Sequence, residues 1–242
     1  MMFNLFKSKP TLKELIPKGF VDIHSHILPG IDDGAKNVEE SIELINNMKE
    51  MGFSKIIGTP HTYPGLYENT NESIKESFKK INGKQSGKIK LGYSSEYMMD
   101  SSIIEKANKK ELLCLKDNYI LIEMSFLAPP NELYDIIFNL KINGYYPIMA
   151  HPERYLFLHD DFKKYHKLKN HGCYFQMNLL STTGFYGNNI AKISEKLLRN
   201  NMIDYLGSDI HSMRHVREFE NKLIINDTIS LTNTIENNLF FK

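Results

Sequence analysis

The sequence predicts an α/β fold built on a parallel sheet, because short strand-like runs alternate with longer helical ones along the whole chain. The short runs are rich in β-branched and aromatic residues, and the longer stretches between them carry apolar residues at helical spacing. Strands joined in this way through helices lie parallel and are connected by right-handed crossovers. Such a sheet is either closed as a barrel or open, and the seven predicted strands are close in number to a barrel.

Each strand is predicted from an apolar run bounded by turn-forming or charged residues. The seven strands are Phe20–His24, Lys55–Thr59, Ile89–Ser94, Tyr119–Ile122, Tyr146–Ala150, Tyr174–Met177 and Tyr205–Gly207. Helices are predicted between and after them at Asn37–Met51, Asn71–Ile81, Ser101–Lys109, Pro130–Asn143, Phe162–Asn170, Ile190–Asn200 and within Asp227–Asn238.

The helix Asn37–Met51 has the clearest boundaries. Asn37 is a favourable N-cap, and Glu40 three residues later completes an approximate capping box. Gly52 ends the helix. One face is apolar and should pack on the sheet; it consists of Val38, Ile42, Ile45 and Met48.

Length and composition predict one domain spanning residues 1–242, with residues 1–19 as an N-terminal extension. A chain of 242 residues that is 41% hydrophobic can form one sizeable core. The extension has no signal-peptide pattern, because Lys7 and Lys9 interrupt its few apolar residues. No later stretch is long enough to span a bilayer, so a cytoplasmic protein is expected. We interpret Asn82–Gly87 as a surface loop.

The charge balance argues against nucleic acid or an anionic membrane as a partner. Thirty Lys and Arg residues face twenty-nine Asp and Glu residues, which leaves a net charge of +1. Affinity for nucleic acid depends on neutralising phosphates, and no stripe of basic residues is present for that purpose.

The two cysteines exclude a cysteine-dependent phosphatase mechanism. That chemistry needs an arginine six residues after the nucleophile, but Ile120 follows Cys114 and Leu179 follows Cys173 at this distance. Both cysteines lie in apolar runs, where a buried reduced thiol is expected.

Histidines and carboxylates follow nearly every predicted strand. Side chains two apart on a strand share a face, so His24 and His26 can converge on one ion, and Asp209 and His211 repeat the spacing. In a βα barrel all these strand ends lie on one rim, where active sites form. The remaining residues of this kind are His61, Glu96, Glu123 and His151.

A metal centre is therefore predicted, although any one of these histidines could instead be structural. Nitrogen and oxygen ligands together favour Mn²⁺, Fe or Zn²⁺, with Co²⁺ or Mg²⁺ as alternatives. The ligand-type residues exceed the needs of one ion, so two or three ions are expected, and Glu96 could bridge a pair.

Five motifs closely resemble the PHP (polymerase and histidinol phosphatase) superfamily, and more narrowly its bacterial tyrosine-protein phosphatases of capsular and exopolysaccharide operons. The motifs are DIHSHILPGIDDG, GTPHTYPG, LIEMSF, AHPER and GSDIHS. The resemblance implies a distorted seven-stranded βα barrel with a manganese-type trinuclear centre. It implies nine metal ligands: His24, His26, Asp33, His61, Glu96, Glu123, His151, Asp209 and His211.

The resemblance also implies arginines that bind phosphate. Arg154 in AHPER matches one of them, and a second is expected shortly after Asp209, where Arg214 and Arg217 are both candidates. Asp22 either orients a histidine or serves as a structural carboxylate. An aromatic wall for a tyrosyl ring could come from the residues Tyr63, Tyr67, Phe126, Phe185 and Tyr186.

The function expected from this resemblance is metal-dependent hydrolysis of phosphotyrosine in proteins. The expected substrate is the phosphorylated tail of a bacterial tyrosine kinase that controls polysaccharide export. Histidinol-phosphate phosphatase is the first alternative, and a PHP nuclease is the second. A module that binds phosphotyrosine without hydrolysing it is an alternative from a different class.

Overall fold

The computed structural model describes residues 8–84, 87 and 89–242, and within them the fold is α/β with parallel sheets. Nine strands are present in this part of the chain: β1 Phe20–Ser25, β2 Phe53–Gly58, β3 His61–Thr62, β4 Lys90–Tyr93, β5 Glu96–Met98, β6 Tyr119–Glu123, β7 Tyr146–Ala150, β8 Tyr174–Asn178 and β9 Tyr205–Gly207. The α-helices are α1 Leu12–Leu15, α2 Val38–Glu50, α3 Asn71–Ile81, α4 Ser101–Asn108, α5 Leu133–Ile142, α6 Leu156–His159, α7 Lys163–Asn170, α8 Asn188–Arg199, α9 Met213–Glu218 and α10 Thr228–Asn237.

The strands form two sheets in which every pairing is parallel. One sheet has the order β1-β2-β4, and the other has the order β3-β5-β6-β7-β8-β9. At least one helix lies in the chain between the two members of every strand pair, as parallel pairing requires. The carboxyl ends of the strands therefore lie on one side of the fold, and the predicted site residues are found there.

The structure has nine strands in place of the predicted seven because two short strands, β3 and β5, begin just beyond the ends of the predicted strands Lys55–Thr59 and Ile89–Ser94. Thr59 and Pro60 separate β2 from β3, and Ser94 and Ser95 separate β4 from β5. Pro60 has no N–H group and cannot take part in a regular ladder. The two interruptions lie next to each other, and the Ser95 hydroxyl donates a hydrogen bond to the Pro60 carbonyl at 2.9 Å.

The first and last strands are also joined by hydrogen bonds. Ser25 and Ile210 form a parallel bridge, and the His26 N–H donates to the Ile210 carbonyl at 2.9 Å. The Asp209 N–H donates to the His24 carbonyl at 2.8 Å. These bonds place the Asp209–His211 segment directly beside the end of β1.

Helix α2 shows how local sequence sets an element boundary. The Asn37 side chain accepts a hydrogen bond from the Glu40 N–H at 2.9 Å, so the predicted N-cap is confirmed. The predicted capping box is wrong, because the Glu40 carboxylate accepts from the Lys36 N–H at 2.9 Å. Gly52, with φ at +108°, follows the C-cap residue Met51.

The N-terminal extension is partly ordered against the distant end of the chain. The Leu12 N–H donates to the Asn221 carbonyl at 3.0 Å, the Lys13 N–H to the Phe219 carbonyl at 2.8 Å, and Leu12 is fully buried. Residues 1–7 of the extension, residues 85 and 86 of the predicted 82–87 loop, and residue 88 just after that loop lie outside the described residues.

The strands pack against two separate groups of apolar residues. In β6, Ile120 and Ile122 join the large core shared with the helices, whereas Leu121 joins a smaller cluster with Val21 and Ile148. Alternation along each strand produces this division. Among the described helices, none has the length and apolar character needed to cross a membrane.

Candidate metal centre

His24 and His26 converge at the end of β1. Their Nε2 atoms are 3.2 Å apart. On the opposite side of each ring, His24 Nδ1 is bonded to Gln176 Oε1 at 2.6 Å, and His26 Nδ1 is bonded to Asp32 Oδ2 at 2.7 Å. Both acceptors hold the proton on Nδ1, which leaves the two Nε2 lone pairs directed at one point.

Glu96 occupies the centre of the cluster. β3 and β5 place it beside His61 in the sheet register, and its carboxylate lies 3.0 Å from His61 Nδ1 and from His151 Nε2. The residue is fully buried, yet among the described residues neither oxygen has a partner with hydrogen-bond geometry. A buried carboxylate in this condition is costly unless a cation is bound, so the residues fit a metal site.

Asp33 and Glu123 lie on opposite sides of the His61 ring. Glu123 Oε1 is 2.7 Å from His61 Nδ1, and Asp33 Oδ1 is 3.5 Å from His61 Nε2. The same Asp33 oxygen lies 3.4 Å from His211 Nε2. The His211 Nδ1–H donates to the Asp209 carbonyl at 2.9 Å, which leaves Nε2 available toward Asp33.

His151 and Asp209 both adopt left-handed backbone conformations where their strands end, with φ at +35° and +52°. Such conformations cost non-glycine residues about 1–2 kcal/mol and are concentrated at functional sites. Asp209 Oδ2 accepts from Asn178 Nδ2 at 2.6 Å, whereas its Oδ1 lies 3.3 Å from the Nε2 atoms of His24 and His26.

The nine side chains form four overlapping groups whose ligand atoms lie close enough to share an ion. The groups are His26, Asp33, His61 and His211; His24, His151 and Asp209; His24, His26 and Glu96; and His61, Glu96 and Glu123. Every ligand expected from the resemblance is a member, and the overlap means that neighbouring ions would share side chains. A trinuclear or dinuclear centre suits this arrangement better than one isolated ion.

The electrostatics of the cluster are dominated by burial and by close opposite charges. Burial lowers the pKa of His26, but the carboxylates of Asp32 and Asp209 together outweigh burial and raise the pKa to about 10. Burial and the charge of Glu96 raise the pKa of Glu123 to about 7. Burial raises the pKa of Glu96, but His24 and His61 outweigh it and hold the pKa well below its usual range. The site therefore strongly favours bound positive charge.

A cavity of about 290 Å³ opens onto the cluster. Arg154 lines it, and the Arg154 Nη1 donates to Asp209 Oδ2 at 3.0 Å. The guanidinium carbon lies over the faces of two aromatic rings, 4.6 Å from the centre of Phe126 and 4.3 Å from that of Tyr186. This packing fixes a cation beside the candidate metal ligands, where an anionic group would bind.

The two candidates for the second arginine lie elsewhere. Arg214 and Arg217 are exposed on α9, and neither is among the residues that line this cavity. The Arg214 guanidinium lies 5.0 Å from the centre of the Phe185 ring. His215, between them in sequence, does line the cavity.

A second cavity of about 310 Å³ adjoins the first and shares Asp33, His61, Glu123 and Phe126 with it. Its remaining walls are mostly apolar and aromatic, and Leu66 and Leu127 at its rim are 62% and 93% exposed. The other lining residues are Tyr63, Tyr67, Met98, Met124 and Ser125. Exposed apolar side chains grouped beside a polar site are typical of a binding surface. We refer to this space as the apolar annex.

Four side chains that contact the candidate ligands or line the cavity beside them were not predicted from the sequence. Asp32 precedes the expected ligand Asp33. Gln176 lies on the predicted strand Tyr174–Met177, which no histidine or carboxylate follows, and Asn178 comes directly after it. The sequence did contain one relevant pattern, since the amide side chains of Gln176 and Asn178 are two residues apart and would share one face of a strand. His215 is the fourth. It was not considered because an arginine was expected in this part of the sequence.

The family model for capsular polysaccharide synthesis, CpsB/CapC, matches residues 20–222, a range that includes all nine candidate ligands and Arg154. The chain belongs to the CpsB/CapC family.

Individual CpsB/CapC relatives align over most of their length. CapC of Staphylococcus aureus is 34% identical over 211 residues, covering 86% of this chain and 82% of the relative. The tyrosine-protein phosphatase YwqE of Bacillus subtilis strain 168 is 31% identical over 198 residues, covering 80% and 78%. The tyrosine-protein phosphatase CpsB of Streptococcus pneumoniae is 31% identical over 202 residues, covering 80% and 83%.

Solved structures agree with the family assignment. One structure comes from work on YwqE of B. subtilis and CpsB of S. pneumoniae, described as unique metal-dependent tyrosine phosphatases. It superposes on this chain with a TM-score of 0.76 at 30% sequence identity, and the match covers 82% of this chain and 84% of that one. The phosphotriesterase homology protein of Escherichia coli superposes at 0.53 with 15% identity over 93% and 99%. The second likeness shows that the fold extends beyond the CpsB/CapC family.

Asp22 connects two segments of this CpsB/CapC chain through hydrogen bonds. Its carboxylate accepts hydrogen bonds from the Ser208 hydroxyl at 2.5 Å and from the Ser208 N–H at 2.8 Å. Gln176 and Asp32, rather than Asp22, contact the imidazole rings of β1. Asp22 therefore ties β1 to the segment that follows β9.

Proposed function

We propose that this chain is a metal-dependent tyrosine-protein phosphatase that acts on the phosphorylated tail of a bacterial tyrosine kinase in capsule or exopolysaccharide synthesis. The observation that carries the proposal is the placement of Arg154 in one cavity with members of four overlapping groups of nitrogen and oxygen ligands, bonded directly to one of them, Asp209. Convergent ligands and a fixed cation beside them are typical of phosphoryl-transfer sites.

The nine side chains of the four groups are proposed as the ligands of two or three ions. The mixture of imidazole and carboxylate favours Mn²⁺, with Fe, Zn²⁺, Co²⁺ or Mg²⁺ as alternatives. When bound, such ions would stabilise charge on the phosphoryl oxygens and lower the pKa of coordinated water.

Arg154 is proposed to hold a non-bridging phosphoryl oxygen. Asp209 and the two flanking rings keep the guanidinium in place, so little side-chain entropy remains to be lost on binding. A fixed guanidinium offers donors in a geometry that matches phosphate, and it would stabilise charge that develops on these oxygens.

The apolar annex is proposed to take the aryl ring of phosphotyrosine. It shares three candidate ligands with the metal cavity, so a group bonded directly to the bound phosphate would enter it. Its volume of about 310 Å³ leaves room for a phenyl ring and part of the polypeptide. A small alkyl phosphate such as histidinol phosphate would leave most of these apolar walls in contact with water.

We also propose that the nine strands correspond to seven strands of a distorted βα barrel, formed by one domain over residues 1–242 with residues 1–19 as an extension. Joining β2 with β3 and β4 with β5 gives seven, and the bonds from β1 to the Asp209–Ile210 segment support closure. A cytoplasmic location belongs to the proposal, and both cysteines are free thiols, as a reducing compartment would maintain them.

The test is hydrolysis of a phosphotyrosyl peptide by metal-stripped protein to which Mn²⁺, Mg²⁺ or Zn²⁺ is returned separately, with histidinol phosphate assayed in parallel. We expect metal-restored turnover of the peptide and a much lower rate on histidinol phosphate. Preference for histidinol phosphate would assign the metabolic activity instead. Binding of the peptide by metal-loaded protein without turnover would support the non-catalytic alternative.

A further inference from the structure

His215 lies on the wall of the metal cavity, on the helix where a second arginine was expected. It lines the cavity together with Arg154 and Tyr186. Arg214 and Arg217, its neighbours on α9, are exposed and are not part of the lining. The position that faces the cavity on this helix therefore carries an imidazole.

The hydrogen bonding of His215 determines its tautomer. The backbone N–H of His211 donates to His215 Nδ1 at 2.9 Å, so Nδ1 carries a lone pair and no proton. A neutral imidazole with this arrangement has its proton on Nε2. The ring is held by edge-to-face contacts with Phe185, at 5.0 Å between centroids, and with His211, at 5.4 Å. Nε2–H is thus the remaining polar group of a fixed ring on the cavity wall.

We infer that His215 donates a hydrogen bond from Nε2–H to a non-bridging phosphoryl oxygen, in the role expected of a second arginine. Arg154, held by Asp209 and by the Phe126 and Tyr186 rings, supplies the charged donor, and His215 supplies a neutral one. This inference rests on the proposed function, because it names a further substrate-binding residue of the same site.

Two substitutions separate this role from a structural one. In His215→Asn, the amide oxygen occupies the position of Nδ1 and can still accept from the His211 N–H, but no donor remains at the position of Nε2. In His215→Gln, the amide nitrogen can replace the Nε2–H donor, whereas the acceptor for the His211 N–H is lost. His166→Asn, at an exposed histidine of α7, is the matched control.

The measurement is the binding of inorganic phosphate to metal-loaded protein by calorimetry, together with metal content and kcat/KM on a phosphotyrosyl peptide. We expect His215→Asn to weaken phosphate binding about tenfold with metal content unchanged, His215→Gln to recover part of that loss, and His166→Asn to match the wild type. The phosphate measurement does not depend on turnover, so its outcome stands apart from failure of the phosphatase assay.

Two outcomes would overturn the inference. Wild-type phosphate affinity in His215→Asn with weaker binding in His215→Gln would show that only the bond to the His211 backbone matters. Loss of phosphate affinity in Arg214→Ala or Arg217→Ala, with both His215 variants unaffected, would return the role to an arginine of α9.

Discussion

The Nε2 atoms of His24 and His26 lie 3.2 Å apart, and each ring is held from behind by a hydrogen-bond acceptor on another segment. Gln176 on β8 holds one ring, and Asp32 in the loop after β1 holds the other. The convergence thus depends on two residues that belong to none of the four candidate ligand groups, and it can be weakened without removing a candidate ligand.

Replacing Gln176 by Leu should lower metal affinity about 10- to 100-fold. The substitution keeps the size of the side chain but removes the acceptor that bonds His24 Nδ1 at 2.6 Å. Competition with a chelator of known affinity measures the effect, and Asn139→Leu on α5 is a control outside the site. Equal affinities for wild type and Gln176→Leu would mean that packing alone orients the His24 ring.

Gly34→Ala should destabilise the protein by about 3 kcal/mol and reduce metal content. A Cβ atom at this position would collide with the backbone carbonyl of His26, and backbone cannot yield as a flexible side chain can. Gly92→Ala in β4 is the control, because its Cβ would lie 3.5 Å from Ile57, an ordinary contact. Urea unfolding of both variants checks the prediction, and equal midpoints would contradict it.

Arg154→Lys should lower kcat/KM on a phosphotyrosyl peptide about 100-fold without loss of metal. Lysine keeps the charge but loses the planar donors and the stacking between Phe126 and Tyr186. Arg199→Lys, at an exposed arginine paired with Glu195, should behave as wild type. Metal analysis must accompany the kinetics, and undiminished turnover in Arg154→Lys would remove Arg154 from the mechanism.

Serine at both Leu66 and Leu127 should reduce the preference of the site for aryl over alkyl ligands. We expect wild-type protein to be inhibited more strongly by phenylphosphonate than by methylphosphonate. In the double variant, the ratio of the two inhibition constants should fall about fivefold. Inhibition constants are compared in place of hydrolysis rates, because hydrolysis rates also depend on the leaving group. Ile229→Ser removes an equally exposed apolar side chain from α10 and should change nothing. A ratio unaltered by the double substitution would place the ring outside the apolar annex.

Thiol alkylation should leave activity intact. Burial raises the pKa of Cys173 to about 12 and also raises the pKa of Cys114. A raised pKa keeps the thiol protonated, so at about pH 8 only about one Cys173 in ten thousand is a reactive thiolate. Mass spectrometry after iodoacetamide treatment, with and without urea, measures labelling. Inactivation of the folded protein would contradict the metal mechanism.

The sequence predicted those features that depend on local periodicity. Helix α3 and strands β7 and β9 have the bounds expected, because each combines one clear pattern with flanking turn residues. The short strands β3 and β5 were not predicted, since each has only two or three residues and the two pair with each other across the fold. The short helix α9 depends on the Ser212–His215 turn beside the metal cavity rather than on its own propensity.

The candidate site was predictable to the extent that its residues are of typical ligand type. Histidines and carboxylates at strand ends are visible in the sequence, and the structure brings all nine together. Gln176 and His215 could not be found in this way. Their roles depend on partners from other segments, which only the folded chain specifies.

The hydrogen bonds between Asp22 and Ser208 join residues 186 positions apart. Neighbouring backbone hydrogen bonds bring Asp209 and His211 to the end of β1. A nascent chain that has reached only β8 therefore lacks two of the nine candidate ligands and the strand that positions them. Contacts of such separation form late, after most of the chain has left the ribosome. The complete set of nine candidate ligands can therefore converge only once the chain has been synthesised past His211, and a chain truncated before Asp209 would lack two of them.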